Sequence, residues 1–380
     1  MHLTDAERTT LLVAGAAGGM SATFASPLAA ILLAVELLLF EWRPRSLIPV
    51  AFASITAAIV RIFWLGSGPL FAMPALPSQQ TASIAITALA LGLIIGLIAA
   101  GFSNIMYGFE DLFGHLPIHW MWWPALGGVG IGIGGVFFPR GLRVGYDNIA
   151  DLLRGNAPLS LLLGLIIAKS LMWAFSLGSG TSGGVLAPLL MIGGACGELA
   201  AHLAHASTEQ QSLWALVGMG AMLSASLGVP LTAILFSLEI THSLPAMLPL
   251  MLGCVAAYAV TSLIMPRSIL TEKISRRGFH LTREYGTDPL ETVSVLEAMS
   301  RAMPQADPQL PAAPLPDVHA FTDETSRSAA EKMAAAGLSS LLVVDRPAGE
   351  VRGVITLQDL LRGRQKSIQR EQDRARIFTP

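Results

Sequence analysis

Residues 15–36 read GAAGGMSATFASPLAAILLAVE, and residues 218–239 read GMGAMLSASLGVPLTAILFSLE. The offset is constant, 218 − 15 = 203. Gly15, Ser21, Ala22, Pro27, Leu28, Ala30, Ile31, Leu32 and Glu36 fall on Gly218, Ser224, Ala225, Pro230, Leu231, Ala233, Ile234, Leu235 and Glu239. Small apolar residues coincide easily between hydrophobic helices, but a proline and a carboxylate kept in step within an apolar run do not. The chain therefore carries an internal repeat. Repeated halves are a feature of membrane transporters, which place their substrate at the interface between the repeats.

The composition around the repeat agrees. Of 380 residues, 53% are hydrophobic and 13% charged, about half the charge of a soluble domain, where roughly 25% is usual. Residues 1–266 hold 8 Lys+Arg and 11 Asp+Glu, which leaves 24 − 8 = 16 and 26 − 11 = 15 for residues 267–380. The first part reads as membrane and the second as soluble. Apolar runs that could span a bilayer cover about 9–40, 46–65, 81–106, 120–138, 158–177, 185–205, 212–243 and 246–265. Pro27 and Pro230 interrupt two of them. Such breaks are tolerated where the freed backbone is buried in protein or lines a cavity. Arg267, Lys273, Arg276, Arg277 and Arg283 follow the last run and predict a cytoplasmic C-terminal side.

A net charge of −2 gives no case for nucleic acid. Cys196 and Cys254 lie in apolar runs and suggest no disulfide framework. The charged stretch Met1–Thr10 does not read as a cleavable signal peptide. No Ser/His/Asp, Cys/His or phosphate-loop constellation appears, so no enzyme is expected.

The second repeat is preceded by Gly178-Ser-Gly-Thr-Ser-Gly-Gly-Val-Leu-Ala-Pro188, between two apolar helices. Glycines let a chain turn and present N–H groups, and a helix starting in a membrane cavity offers unpaired N–H groups at its positive end. That attracts an anion without a lysine or arginine in the path. A glycine-rich helix-packing loop is the alternative. Subtracting 203 places the loop's counterpart before residue 1, so the chain is expected to be N-terminally truncated.

GSGTSGGVLAP resembles the GSGxxGGxFxP motif of the CLC family of voltage-gated chloride channels and chloride–proton antiporters. Residues 15–36, 218–241 and Ser268-Ile-Leu-Thr-Glu-Lys273 resemble further segments of that family in the same order. The resemblance implies an all-α multi-spanning membrane protein built as an inverted repeat, here with an incomplete first half. It also implies a homodimer with one pore per subunit, carrying chloride across the inner membrane. The backbone at Gly183, Gly184, Val185 and Leu186 would face the ion, with Gly184 shaping the turn that presents the Val185 N–H. The family's pore tyrosine falls at Leu270, which offers no hydroxyl. The family's GSGIP and GREGP loops have no counterpart among these residues.

Glu36 and Glu239 are intramembrane carboxylates at matched positions. Such residues are functional candidates, although their symmetry favours a structural role, such as bonding to backbone at a helix end. The resemblance puts the family's proton-carrying glutamate at Leu37. A leucine cannot relay a proton, so the expectation is a passive channel. The alternatives are an antiporter, an inactive fragment or a membrane-anchored nucleotide sensor. Lys169 could serve an anion vestibule or pair with Glu198 or an interfacial carboxylate. His202 and His205 read as a helix end rather than a metal site. Trp120, Trp122 and Trp123 suggest an interfacial belt.

In the soluble part, residues 267–316 comprise a basic segment and a Pro-rich linker, PQADPQLPAAPLP at 304–316. Residues 326–336 predict a helix closed by Gly337, Ser340–Asp345 and Arg352–Thr356 predict strands, and Gln358–Arg364 predicts a helix. This small α/β unit, 317–380, resembles a CBS module, which implies adenine nucleotide near Thr356 and Asp359. A stabilising tail without ligand is the other reading. No resident cofactor or metal is expected.

Overall fold

Two segments of matched sequence fold into the same three-helix arrangement in this computed structural model, which describes residues 5–39, 42, 44–76, 82–142, 144–181, 183–265, 290, 293–299, 318–346 and 350–365. In the first half α1 (Asp5–Phe24) packs on α2 (Pro27–Leu33) and α3 (Pro44–Leu65). Further α-helices follow among the described residues. They are α4 (Ala82–Gly114), α5 (Trp123–Phe137), α6 (Tyr146–Leu153), α7 (Leu159–Leu163), α8 (Ser170–Gly178), α9 (Leu186–Leu203), α10 (Thr208–Leu227), α11 (Pro230–Thr241) and α12 (Met247–Ile264). In the second half α10 packs on α11 and α12, as α1 does on α2 and α3.

The two breaks are alike at the level of dihedrals. Ser26 has φ −127° and ψ 71°, and Val229 has φ −127° and ψ 69°. Each precedes a proline, which excludes the helical region for the residue before it. Each follows a left-handed residue, Ala25 at φ 56° and Gly228 at φ 73°. The matched serines also do the same work. The Ser21 hydroxyl donates to the Ser54 carbonyl at 2.8 Å, tying α1 to α3. The Ser224 hydroxyl donates to the Cys254 carbonyl at 2.8 Å, tying α10 to α12.

The expected spans 9–40 and 212–243 are thus two helices each, broken at the anticipated prolines. Among the described residues, five helical stretches are long and apolar enough to cross a membrane: Pro44–Leu65, Ala82–Gly114, Leu159–Gly178, Leu186–Leu203 and Leu244–Ile264. The chain is accordingly a multi-spanning membrane protein. Two π-helical turns, Ala34–Leu39 after α2 and Gly164–Lys169 between α7 and α8, were not anticipated from the sequence.

α10 is the centre of this unit. Every residue from Ser212 to Leu227 is buried, as expected for a helix apolar or small on all sides. Close approach comes from glycines. Gly193 and Gly197 of α9 lie against Gly218 and Trp214 of α10, and Gly92 and Gly96 of α4 lie against Gly253 and Ala257 of α12. Small residues at helix contacts are the usual means of association in lipid, where apolar surface alone supplies little drive. α3 instead turns Phe52, Phe63 and Trp64 outward.

Backbone contacts divide the chain into Met1–Leu281 and Thr282–Pro380. The second unit holds a three-stranded sheet in the order β1 (Ala320–Phe321), β2 (Ser340–Val344), β3 (Val351–Thr356), parallel between β1 and β2 and antiparallel between β2 and β3. α13 (Val295–Ala298) and α14 (Ser326–Ala336) pack there, and Gly337 ends α14 at φ 67°. The anticipated strands, α14 and the helix at 357–365 are present. Val295, which precedes residues 317–380, is buried in the core of this unit with Ala320, Met333 and Ile355. The Pro-rich linker and the basic segment after 266 lie outside the described residues.

Candidate anion site

α8 ends at Gly178 because the chain must turn there. A side chain on Gly178 would stand 2.8 Å from Phe109 Cβ and 3.0 Å from the Glu110 amide nitrogen, so only glycine lets this corner lie against α4. Gly180 follows at φ +81°, a conformation that glycine adopts without strain. Ser179 and Thr181 each donate to the Ser176 carbonyl at 2.6 Å. The far end of the loop is held by Trp173, whose indole N–H donates to the Gly184 carbonyl at 3.2 Å. Trp173 is itself stacked on Phe102 of α4, with centroids 5.2 Å apart and an interplanar angle of 6°. The sequence reading missed Trp173. A lone tryptophan eleven residues before Gly184 in an apolar helix was the available signal.

α9 then starts at Leu186, with Val185 as its cap residue and no side-chain cap. Gly183 and Gly184 are exposed, while Val185 and Leu186 are half-buried. The first-turn N–H groups of a helix lack partners within it, and Pro188 contributes none. Gly183, Gly184, Val185 and Leu186 thus lie at the uncapped start of α9. The expectation for Gly184 needs correction. Its φ is not left-handed and nothing lies within 4 Å of where a Cβ would stand, so the turn depends on Gly178 and Gly180 instead.

The matched carboxylates lie elsewhere. Glu239 accepts from the Leu28 and Ala29 N–H groups, both at 2.9 Å. Glu36 accepts from the Leu231 N–H at 3.3 Å, the Thr232 N–H at 2.8 Å and the Thr232 hydroxyl at 2.6 Å. Both carboxylates thus bond to backbone at a helix start, the structural role their symmetry suggested. Leu37 sits in the π-helical turn, partly buried against the core. Leu270 lies outside the described residues.

Lys169 does not pair with Glu198: it donates to the Gly141 carbonyl at 2.7 Å. Glu198, fully buried, accepts from the Ala157 N–H at 2.8 Å. His202 occupies the last turn of α9, and His205 follows its end at φ 51°. In the second unit Thr356 and Asp359 bond to each other. The Thr356 N–H and hydroxyl donate to Asp359 Oδ2 at 3.0 and 2.7 Å, and the Asp359 N–H donates to Thr356 Oγ1 at 3.2 Å. This is a reciprocal cap at the start of helix 357–365.

A sequence model of the family described as voltage gated chloride channel matches residues 1–262. The chain belongs to that family. Among relatives of the voltage gated chloride channel family, the H(+)/Cl(-) exchange transporter ClcA of Citrobacter koseri is 32% identical over 265 residues, which are 66% of this chain and 55% of that protein. ClcA of Vibrio campbellii is 31% identical over 287 residues, 72% of this chain and 60% of that protein. The chain therefore spans between half and two thirds of the length of these curated relatives. A slow cyanobacterial Cl-/H+ antiporter superposes with TM-score 0.63 at 25% identity, covering 72% of this chain and 66% of its own. A CLC-type fluoride/proton antiporter superposes with TM-score 0.59 at 22% identity, covering 68% and 64%, and shows likeness of fold alone. The voltage gated chloride channel fold that the resemblance implied is therefore the fold observed.

Proposed function

We propose that this chain takes part in chloride transport, with the ion held at the start of α9. The observation that carries this reading is the uncapped N-terminus of α9, reached through the Gly178–Gly184 loop and offering N–H groups in place of a fixed positive charge. A helix end of this kind binds an anion without a lysine or arginine that would hold it too tightly to leave.

Proton-coupled exchange is the form of transport we favour, because the relatives matched over most of the chain are named exchangers. This reverses the passive-channel expectation drawn from Leu37. One observation still speaks for a channel: Leu37, packed against the core, has no group to carry a proton. The protein is taken to work as a homodimer in a lipid bilayer with its C-terminal unit cytoplasmic. Thr356 and Asp359 are read as a helix cap, since each is already bonded to the other, and not as a ribose contact.

The test is reconstitution in liposomes with an imposed chloride gradient and a pH electrode outside. Protons driven uphill in fixed proportion to chloride support exchange. Chloride flux with no proton movement supports the channel. Absence of any chloride-dependent flux overturns the transport reading for this chain.

A further inference from the structure

The proline and glutamate of the repeat form one device. Pro27 and Pro230 occupy the first position of α2 and α11, where proline has no N–H to offer. The first donors available are therefore those of the next two residues, Leu28 and Ala29 in one half and Leu231 and Thr232 in the other. A carboxylate has two oxygens, and each glutamate places one on each donor. The bonds cross between the halves: the glutamate that follows Pro27 in sequence serves α11, and the one that follows Pro230 serves α2. Among the described residues neither Glu36 nor Glu239 has a lysine or arginine at ion-pairing distance. An unpaired carboxylate within a membrane protein is costly, and here the positive ends of two helices take the partner's place.

We propose that Glu36 and Glu239 are positioning residues of a crossed clamp, which locks the two halves together and fills the starts of α2 and α11 with built-in anions. α9, in contrast, starts without a side-chain cap and is open to a mobile anion. The clamp itself does not depend on which ion is carried; only its effect on where an anion can settle rests on the function proposed above. The two arms are unequal. Glu36 has the Thr232 hydroxyl as an additional donor, whereas the matched position in the other half is Ala29.

The experiment is thermal unfolding of the full chain in detergent, for Glu36→Ala, Glu239→Ala and the corresponding Gln variants, with and without sodium formate at fixed ionic strength. Formate is a free carboxylate of the same two-oxygen shape. The clamp requires both Ala variants to unfold several degrees below the parent and formate to restore part of that loss, while leaving the parent unmoved. A general packing role for these side chains would give no rescue specific to a carboxylate. Should an Ala variant not purify, its Gln counterpart carries the test. Its amide keeps one acceptor, turns an N–H₂ toward the second donor, and blocks formate, so it must unfold below the parent and not respond to formate. Ala or Gln variants as stable as the parent, or a formate effect equal in parent and variants, would overturn the proposal. Both readouts are independent of flux, so a failed transport assay leaves this result standing.

Discussion

Replacing Gly197 by alanine tests whether the helix contact behind the loop, and not the loop glycine Gly184, sets the site. A methyl group on Gly197 would stand 2.8 Å from the Trp214 carbonyl carbon, 3.3 Å from the Ala215 nitrogen, and closer still to the Trp214 oxygen. Ordinary contact begins at 3.4 Å, so α9 and α10 would have to separate by at least 3.4 − 2.8 = 0.6 Å. The opposing atoms are backbone and cannot rotate away. Overpacking of this kind costs about 1–3 kcal/mol, and alanine's better helix propensity returns about 0.5–1 kcal/mol. With backbone on the far side the overpacking cost falls at the upper end of its range, so the net loss is about 2 kcal/mol, which for a chain of this size, at about 2.1 cal/mol/K per residue, is a fall of roughly 2–3 °C in unfolding midpoint. Gly184→Ala is the control: open space surrounds the position, and a change within about 0.5 kcal/mol is expected. The assay is thermal unfolding in detergent followed by tryptophan fluorescence, with chloride flux measured on the same preparations. A Gly197→Ala protein as stable as the parent, or an equal loss at Gly184, would refute the reasoning.

Ala25 holds a left-handed φ that Gly228 adopts in the other half. Ala25→Gly should raise stability by about 0.5–1 kcal/mol, the relief of strain exceeding the unfolded chain's entropy gain. Gly228→Ala should lower stability by a similar amount, and both read as shifts in unfolding midpoint. Thr356→Ala removes the cap of helix 357–365 and should cost about 1 kcal/mol, read as faster proteolysis of the C-terminal unit in the full chain. The Thr322 hydroxyl, and after it Arg352, hold the Asp345 carboxyl below its usual 3.8. Its folded value is below its unfolded one, so its contribution is present above pH 3.8 and lost as pH falls through the lowered value. Asp345→Asn should therefore blunt the acid-induced rise in cleavage of this unit by an acid-active protease, and an unaltered profile would remove Asp345 from the account.

Some features were open to reading from one dimension because they depend on neighbours along the chain. Pro27 and Pro230 exclude helix at the residues before them, so the two breaks were legible. The 203-residue offset carried the repeat, and Gly337 and the continuous apolar run at 341–344 marked α14 and β2. The loop's role as a helix start followed from Gly178 and Pro188 in the same way. What depends on contacts between distant residues was not legible. Glu239 lies 211 residues from Leu28, and periodicity cannot tell which helix start a carboxylate reaches. Which glycine is indispensable was likewise hidden, because spacing treats Gly178, Gly180 and Gly184 alike, while the backbone beside Gly178 and the left-handed φ of Gly180 set those two apart from Gly184. Lys169 and Glu198 looked like a possible pair, but each found a backbone partner brought near by the fold, Gly141 and Ala157. The sequence determined where this chain breaks and repeats, because local sterics act between adjacent residues. The tertiary structure decided that Glu36 and Glu239 reach the starts of α11 and α2 while α9 starts without a side-chain cap, because that depends on which side chains from the other half arrive there.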